Sequence, residues 1–194
     1  MVSTNNKTID SIFDNSLGII SSSKVLNDRI SDSIDAILKS LQNNGKIIIF
    51  GNGGSAADAQ HFAAEFIGRF EKERDAIPAI ALTTDSSIIT SLANDYSFDK
   101  IFERQCEALI QPNDIIFVLS TSGNSPNVIN GVKVAKKKNI ISIGLLGNNG
   151  GNLKDHLTIP IIVTSNSTPR IQEVHRIILH AICQIVEDNF SKTN

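Results

Sequence analysis

The chain is poor in cysteine, carries little net charge and has no long apolar run. Its 194 residues include only two cysteines, Cys106 and Cys183, which argues against a disulfide scaffold and suits a reducing compartment. The net charge of −2 provides no electrostatic footprint for nucleic acid or anionic membranes. No apolar run approaches the roughly 18 residues of a membrane helix, and the first residues lack a signal-peptide core. We therefore expect a cytoplasmic protein that binds neither nucleic acid nor membrane.

The apolar residues follow the pattern of an α/β domain. They make up 41% of the chain, enough to bury a full core without disulfide or metal staples. Short runs rich in Ile and Val alternate with helical stretches, which is typical of a parallel sheet with helices on both faces. We predict five strands, at Lys46–Phe50, Ile77–Leu82, Asp114–Leu119, Ile140–Leu145 and Leu157–Val163. We predict the intervening helices near residues 55–70, 86–107, 125–138 and 168–189. The sequence therefore predicts an α/β sandwich with a five-stranded parallel sheet.

A helical segment precedes this pattern. Residues 8–43 carry a single apolar stripe from Leu26 to Leu41, with spacings of three and four, and end at Asn43–Gly45. We divide the chain into an N-terminal helical segment, 1–43, and an α/β unit, 44–194. Because a helix outside the α/β repeat needs a partner surface, we expect the stripe to form an intersubunit bundle. Burial in the chain's own core is the alternative.

A glycine-rich turn follows the first predicted strand. Gly51–Ala56 fits the spacing of a dinucleotide-binding turn and leads into a helix, whose first N–H groups attract anions. That fit is weak, because the acidic residue that would bind a ribose is misplaced: Asp85 comes too late. A simple strand-to-helix turn is the alternative interpretation.

A hydroxyl-rich turn follows the third predicted strand. Four hydroxyls lie within six residues, and Ser125 with Pro126 opens the next helix as cap and first residue. Capping alone would account for them. Two such turns at the carboxyl ends of parallel strands instead favour a ligand site, for a small phosphorylated molecule. A third turn-rich stretch, 147–152, is predicted to be a solvent-facing connection.

Two later helices carry candidate metal ligands and acid–base groups. His61 and Glu65 are four residues apart, on one helix face, and Gln172 and His180 share a broad face of the last helix. Imidazole, carboxylate and amide groups can bind zinc, although spacing alone does not bring two helices together. A buried polar contact is the alternative for His61 and Glu65. We interpret His175 as a surface or supporting group.

Five ordered motifs, spread from about residue 20 to 188, resemble the phosphoheptose isomerases, a family of sugar-isomerase (SIS) domain proteins. The motifs are Gly51–Ser55, Asp58–Glu65, Ala93–Asp95, Ser120–Ser125 and Arg170–His175 with His180 downstream. The resemblance implies a flavodoxin-like three-layer fold and a homotetramer with active sites at subunit interfaces. It implies conversion of D-sedoheptulose 7-phosphate to D-glycero-D-manno-heptose 7-phosphate, the first step towards ADP- or GDP-heptose for lipopolysaccharide core or another surface polysaccharide.

The resemblance also implies roles for individual residues. One zinc ion per subunit is expected on His61, Glu65, Gln172 and His180. The expected substrate contacts are Asn52, Gly53, Gly54, Ser55, Glu65, Asn94, Asp95, Ser120, Thr121, Ser122, Ser125 and Gln172. An aldose–ketose isomerisation needs a base and an acid, for which Glu65 and His180 are the natural candidates. Whether Glu65 acts as a free base or as a metal ligand is open. Two departures from the family pattern, Ala56–Ala57 and Pro169, fall where they would alter the pocket wall.

Three other interpretations compete with the enzyme. The first is a non-catalytic SIS-domain relative, the replication initiator-associating protein, which the stretch Ser55–Ala64 resembles. Glu65, His180 and Ser122 favour the enzyme, because a scaffold has no use for a catalytic carboxylate and acid. The second is a regulatory domain that binds a sugar phosphate, which would need the hydroxyl-rich turn alone. The third, a dinucleotide-dependent dehydrogenase, lacks a well-placed ribose-binding acid and a second domain.

Overall fold

The computed structural model describes residues 4–190, whose strands form one parallel sheet. In chain order the strands are β1 (Ile47–Gly51), β2 (Ala79–Ala81), β3 (Ile115–Ser120), β4 (Ile141–Gly147) and β5 (Ile159–Val163). Their spatial order is β2-β1-β3-β4-β5, with every neighbouring pair parallel. This is the flavodoxin-like order. The predicted fold class is confirmed.

Helices cover both faces of the sheet. They are α1 (Thr4–Ser22), α2 (Asn27–Gln42), α3 (Gly54–Ile67), α4 (Ser86–Asp95), α5 (Ile101–Leu109), α6 (Pro126–Lys137) and α7 (Thr168–Phe190), with 3₁₀ turns at Ser23–Leu26, Phe98–Lys100 and Leu153–His156. Successive side chains of a strand point to opposite faces. Ile47 and Ile49 of β1 accordingly pack in the core under α2, α3 and α7, whereas Ile48 and Phe50 pack in the core under α5 and α6. These two cores define three layers.

Two predicted elements differ from the structure. The second strand is shorter than the predicted Ile77–Leu82, because it forms the edge of the sheet and pairs only through Ala79–Ala81. The predicted helix at 86–107 is two helices, since Ser97 is extended (φ −169°, ψ 160°) and a 3₁₀ turn intervenes. Asp85, which is misplaced for ribose binding, caps the first of them by accepting a hydrogen bond from the Ile88 N–H at 2.9 Å.

The apolar stripe of α2 is divided between the chain's own core and its margin. Ile34, Ile37 and Leu41 are buried, and Leu26 with Leu38 packs at the edge of the same core. Their expected place in an intersubunit bundle is thus wrong for the buried residues, because α2 covers the sheet beside α7.

Helix α1 has a different character. None of its residues is buried, and it packs along α7. Its exposed apolar side chains recur at helical spacing: Ile9, Ile12, Phe13 and Leu17. The role of segment 1–43 in oligomerisation therefore stays a prediction, now carried by α1. The first residues of the predicted N-terminal segment, 1–3, and the last residues of the predicted α/β unit, 191–194, lie outside the described residues. No helix between residues 4 and 190 is long and apolar enough to cross a membrane.

Candidate functional site

The carboxyl ends of β1 and β3 lie side by side at the centre of the sheet. After β1 the chain enters α3 on one face, and after β3 it enters α6 on the other. The two connections therefore separate and leave a crevice, where open parallel sheets bind their ligands. We call residues 51–54 the glycine loop and residues 120–125 the serine loop. Both loops line this crevice, as the sequence predicts.

A pair of amide side chains joins the two loops. The Asn52 amide donates to Asn127 Oδ1 at 2.9 Å, and the Asn127 amide donates to Asn52 Oδ1 at 2.8 Å. Asn127 is only 1% exposed, in the first turn of α6. The position of the glycine loop thus depends on the helix that begins after the serine loop. The sequence analysis does not identify Asn127 as a site residue, because an asparagine at the start of a helix is common.

The glycine loop requires its glycines for two reasons. Gly53 has a positive φ of 55°, which L side chains rarely adopt. At Gly51 a Cβ atom would lie 2.7 Å from the carbonyl oxygen of Leu119, so β1 and β3 could not approach so closely. The N–H groups of Ser55 and Ala56 bond to the Asn52 carbonyl, at 3.0 and 3.3 Å. The expectation that the helix start leaves its N–H groups open to an anion is therefore wrong for these two.

The hydroxyls of the serine loop differ in their surroundings. Ser120 ends β3, is buried, and accepts a hydrogen bond from the Gly123 N–H at 3.1 Å. Ser122 is exposed and accepts from the Asn124 N–H at 3.2 Å. Ser125 stands at the N-cap position of α6 as predicted, but its side chain makes no capping bond. A hydroxyl that accepts one bond keeps its own proton to donate. The loop thus retains hydroxyl donors for an anionic ligand.

The turn-rich stretch 147–152 supports the serine loop. The prediction that it is only a solvent-facing connection is wrong, because Gly147 and Gly150 are buried. A Cβ atom on Gly123 would lie 2.0 Å from the Gly150 carbonyl oxygen, so the two backbones are in direct contact. The Asn148 amide donates to the Thr121 carbonyl at 2.9 Å, and the Leu153 N–H donates to the Gly123 carbonyl at 2.9 Å.

Helices α3 and α7 bring three of the predicted site residues together. His61 Nε2 lies 2.9 Å from His180 Nε2, 119 positions later in the chain, and 3.5 Å from Glu65 Oε1. All three residues are partly accessible to solvent. His61 and Glu65 share a face because they are one turn apart, and apolar neighbours such as Phe62 are turned into the core. The long-range convergence that spacing alone leaves open is present.

Gln172 is separated from this cluster along α7. Eight residues of helix span about 12 Å, and the Gln172 side chain packs over Gly54, where a Cβ atom would lie 2.4 Å from its Nε2. Within residues 4–190, no group of three or more His, Cys, Asp and Glu side chains is arranged closely enough to hold a metal. The chemistry of the donor set nevertheless fits zinc, since two imidazoles and a carboxylate form a common catalytic zinc site. Two nitrogens on one tetrahedral zinc lie roughly 3.3 Å apart, a few tenths more than in this pair.

A groove with mixed polar and apolar lining lies between the start of α3 and the start of α7. Pro169 and Ala57, the second residue of the Ala56–Ala57 departure, both line it together with Gln172. Asp58 is buried at its base and forms an ion pair with Arg176. The expected effect of these departures on the wall of the substrate pocket stays a prediction.

His175 was predicted to be a surface or supporting group, and the prediction of a surface position is wrong. His175 is fully buried, and its Nε2 lies 3.0 Å from the Leu146 carbonyl. Burial lowers the pKa of His175 to about 4, against a smaller opposite effect of the Leu146 carbonyl and Asp58. The imidazole is therefore neutral near pH 7 and belongs to the packing between α7 and β4.

Asn94 and Asp95 lie at the end of α4. Both are exposed, and the Asn94 amide donates to Asp95 Oδ1 at 2.9 Å. The predicted substrate role of this pair stays a prediction. The aromatic side chains that follow, Tyr96 and Phe98, are also exposed, so this corner presents mixed polar and apolar surface.

The fold and the crevice define a class of protein. The family model of the SIS domain matches residues 13–147, most of the chain. A phosphoheptose isomerase from Francisella tularensis has a solved structure that superposes with a TM-score of 0.92, at 36% identity, covering 96% of this chain and 100% of that one. The chain is thus an SIS-domain protein.

Sequence relatives narrow the class. The phosphoheptose isomerase of Aliarcobacter butzleri is 51% identical over 154 residues, or 79% of this chain and 82% of that protein. The phosphoheptose isomerase of Synechocystis is 54% identical over 154 residues, which is 79% of each chain. The chain belongs to the phosphoheptose isomerase family. The resemblance carried by the five motifs is confirmed.

Proposed function

We propose that this chain catalyses the aldose–ketose isomerisation of D-sedoheptulose 7-phosphate to D-glycero-D-manno-heptose 7-phosphate. The observation that carries the proposal is the meeting of α3 and α7, where His61 Nε2 lies within 3.5 Å of both His180 Nε2 and Glu65 Oε1. This cluster supplies the carboxylate and imidazole that proton transfer between adjacent carbons requires. The relatives' shared name supports the substrate class.

The serine loop is the proposed seat of the phosphate. Ser122 and Ser125 lie at the carboxyl end of β3 beside the start of α6, where hydroxyl donors and the helix N-terminus both favour an anion. The phosphate takes no part in the proton transfer. Its binding energy fixes the far end of the sugar and so holds the reacting carbons against Glu65 and His180.

The proton transfers follow from the chemistry of an enediol intermediate. In the proposed direction, the Glu65 carboxylate removes a proton from C1 and returns it to C2. His180 gives a proton to the C2 carbonyl oxygen and takes one from the C1 hydroxyl, so the net composition of the sugar is unchanged. A positioned base or acid of this kind contributes about 10²–10⁴ in rate.

Zinc is part of the proposal as a resident ion. His61, Glu65 and His180 would hold it, and Gln172 would be the fourth ligand. When bound, the ion would polarise the substrate carbonyl and stabilise the negative charge that develops on it. Glu65 and His180 each act either as a ligand or as the base and the acid, because an oxygen or nitrogen bonded to the ion cannot at the same time carry the proton that is transferred.

We further propose a cytoplasmic homotetramer that supplies heptose for a surface polysaccharide. The apolar face of α1 supports the assembly, because Phe13 and Leu17 are 64% and 62% exposed at one-turn spacing. Exposed apolar stripes of this kind commonly mark protein interfaces. The interfacial active sites that the family resemblance implies would place the exposed Asn94 and Asp95 beside a neighbouring subunit.

The decisive experiment incubates the purified full-length chain, supplied with zinc, with sedoheptulose 7-phosphate and follows aldose formation by NMR. We expect turnover by the native chain, and loss of about 10²–10⁴ in rate for Glu65→Gln and for His180→Gln. Glu107→Gln on α5, an exposed carboxylate away from the cluster, is the matched control and should retain full rate.

Each contrary result has a separate meaning. An inactive native chain would favour the non-catalytic relative. Full activity in a folded Glu65→Gln variant would show that the base lies elsewhere.

A further inference from the structure

A buried ion pair lies behind the His61, Glu65 and His180 cluster. Arg74 Nε, in the segment after α3, is 3.2 Å from Glu187 Oε1 near the end of α7, and each side chain is 2% exposed. Burying two charges is costly unless further hydrogen bonds satisfy both of them. Each partner here makes such bonds, and all of those described go to backbone groups between Glu65 and Asp75.

Glu187 holds the chain just after α3. Its Oε1 accepts the Phe70 N–H at 2.9 Å, and its Oε2 accepts the N–H groups of Glu71 and Lys72 at 2.8 and 2.9 Å. Burial by itself raises the pKa of the Glu187 carboxyl, but these three N–H groups and Arg74 outweigh it and leave that pKa below its ordinary value. The carboxylate is thus ionised and fully engaged near pH 7.

Arg74 holds the last turn of α3. Its guanidinium donates to the carbonyls of Glu65 at 2.7 Å and Phe66 at 2.9 Å, and to that of Gly68 at 3.3 Å. The last turn of α3 has no basic residue of its own. Arg74 therefore supplies both the missing hydrogen-bond donors and the positive charge that stabilises a helix C-terminus.

The same segment also contacts the other candidate catalytic residue. The Phe70 ring lies against the His180 ring, with centroids 5.6 Å apart and planes inclined by 43°. The Phe70 backbone is the one that Glu187 holds, and Glu187 stands two turns beyond His180 on α7. Glu65 is thus fixed through its own carbonyl, and His180 through the ring of Phe70, by one buried pair.

We propose that Arg74 and Glu187 are positioning residues for the isomerase reaction, which set the separation of Glu65 and His180 by fixing the end of α3 to α7. This inference rests on the proposed function. Two of the seven backbone hydrogen bonds that the pair makes fall on the Glu65 carbonyl and the Phe70 N–H, so the pair acts on the residue that carries the candidate base and on the residue that packs against the candidate acid. None of the pair's described hydrogen bonds reaches the serine loop, where the phosphate is proposed to bind.

The test measures kcat and KM for sedoheptulose 7-phosphate, and inhibition by inorganic phosphate, in Glu187→Gln and Arg74→Lys. Glu187→Gln keeps the size of the side chain and removes the negative charge, whereas Arg74→Lys keeps the positive charge and removes the forked donor. We expect kcat to fall by about 10- to 100-fold, as small misplacements of catalytic groups do. We expect KM and the phosphate inhibition constant to stay within about twofold, because the substitutions do not change the contacts that bind substrate and transition state equally.

A neighbouring pair provides the control. Lys72 and Asp188 form an ion pair beside Glu187, but their side chains are 54% and 37% exposed. Asp188→Asn should leave kcat and KM unchanged. Phe70→Leu is the second probe, because it leaves both buried charges in place and removes only the ring against His180. It should lower kcat in the same way.

The outcomes separate the two proposals. If the native chain does not turn over the substrate, the proposed function and this inference both fail. If the native chain is active, and the folded Glu187→Gln and Arg74→Lys variants keep kcat, the positioning role alone fails. A parallel rise in KM with unchanged kcat would also overturn it. If neither charged-pair variant folds, Phe70→Leu decides, and unchanged kcat in that variant overturns the inference.

Discussion

Asn52 and Asn127 exchange two hydrogen bonds across 75 positions of the chain, at 2.9 and 2.8 Å. One belongs to the glycine loop and the other to the first turn of α6, so neither loop of the crevice can shift without the other. The pair also explains why Asn127 is buried although it is polar, because both the nitrogen and the oxygen of its side-chain amide are hydrogen-bonded.

Asn127→Ala should weaken both the fold and substrate binding. The substitution leaves the Asn52 amide without its partner, which costs about 1–3 kcal/mol of unfolding free energy. We expect a lower denaturant midpoint and a raised KM. Asn130→Ala, on the same helix but bonded to the Asp99 carbonyl at the surface, is the control and should change neither. An unaltered KM in a destabilised Asn127→Ala protein would show that the Asn52–Asn127 pair does not contribute to substrate binding.

The serine loop offers a contrast between hydroxyls. Replacing Ser122 and Ser125 together by Ala should raise KM by a factor that corresponds to about 1–3 kcal/mol, with little loss of stability. Ser120→Ala should in addition lower stability, because its hydroxyl satisfies the buried N–H of Gly123. Ser165→Ala removes a similar loop hydroxyl after β5 and serves as control. Unchanged KM and unchanged inhibition by phosphate in the double variant would remove the loop from the phosphate site.

Zinc should bind to the native chain and stabilise it. At one hundred times its dissociation constant, a metal that binds only the folded state adds about 2.7 kcal/mol to the unfolding free energy. Metal analysis and thermal melts of chelator-treated protein, with and without added zinc, measure this. His61→Ala should lose the bound zinc and the increase in melting temperature, whereas His156→Ala, outside the site, should keep both. Equal zinc content in native and His61→Ala protein would contradict the proposed ligands.

His175 predicts a pH dependence of stability. Burial lowers its folded-state pKa to about 4, below the ordinary histidine value of 6.5. Between these values the unfolded chain binds a proton and the folded chain does not, so the unfolding free energy falls as the pH falls from 6.5 towards 4. The slope is about 1.4 kcal/mol per pH unit at its steepest. Denaturant melts should show this component in native and His156→Ala protein and lack it in His175→Gln. An identical slope in His175→Gln would refute the assignment.

Helix α1 predicts the assembly state. Light scattering should report about four chain masses for the native protein. Aspartate at both Phe13 and Leu17 should reduce that mass, because charges would enter an apolar interface. Ser11→Asp, on the exposed opposite side of the same helix, should leave it unchanged. A native protein that is monomeric at micromolar concentration would overturn the proposed tetramer.

The sequence predicts those parts of the fold and the site that depend on residues close together in the chain. The Ile and Val runs of β1 and β3 and the turns at Gly51 and Ser120 depend on neighbouring residues, and both loops were predicted at their observed positions. The burial of His175 was not predictable in this way, because it depends on the Leu146 carbonyl of another element.

Contacts between distant segments account for the other failures. Gly150 reads as part of a solvent loop until Gly123 is placed against it. The Arg74 and Glu187 pair likewise looks like two ordinary charged surface residues. Their burial follows only when α7 has packed beside α3.

The contact of Gly123 with Gly150 and Gly151 has a consequence for redesign of the crevice. Because these loops meet backbone to backbone, a Cβ atom on Gly123 or Gly151 would collide with the main chain of the other loop, and one on Gly150 would press on the side chains of Ile162 and Lys154. A change of length or sequence in one loop is thus transmitted to the other. Transplanting a serine loop from a relative with different sugar preference should therefore succeed only when residues 147–152 are exchanged in the same cassette.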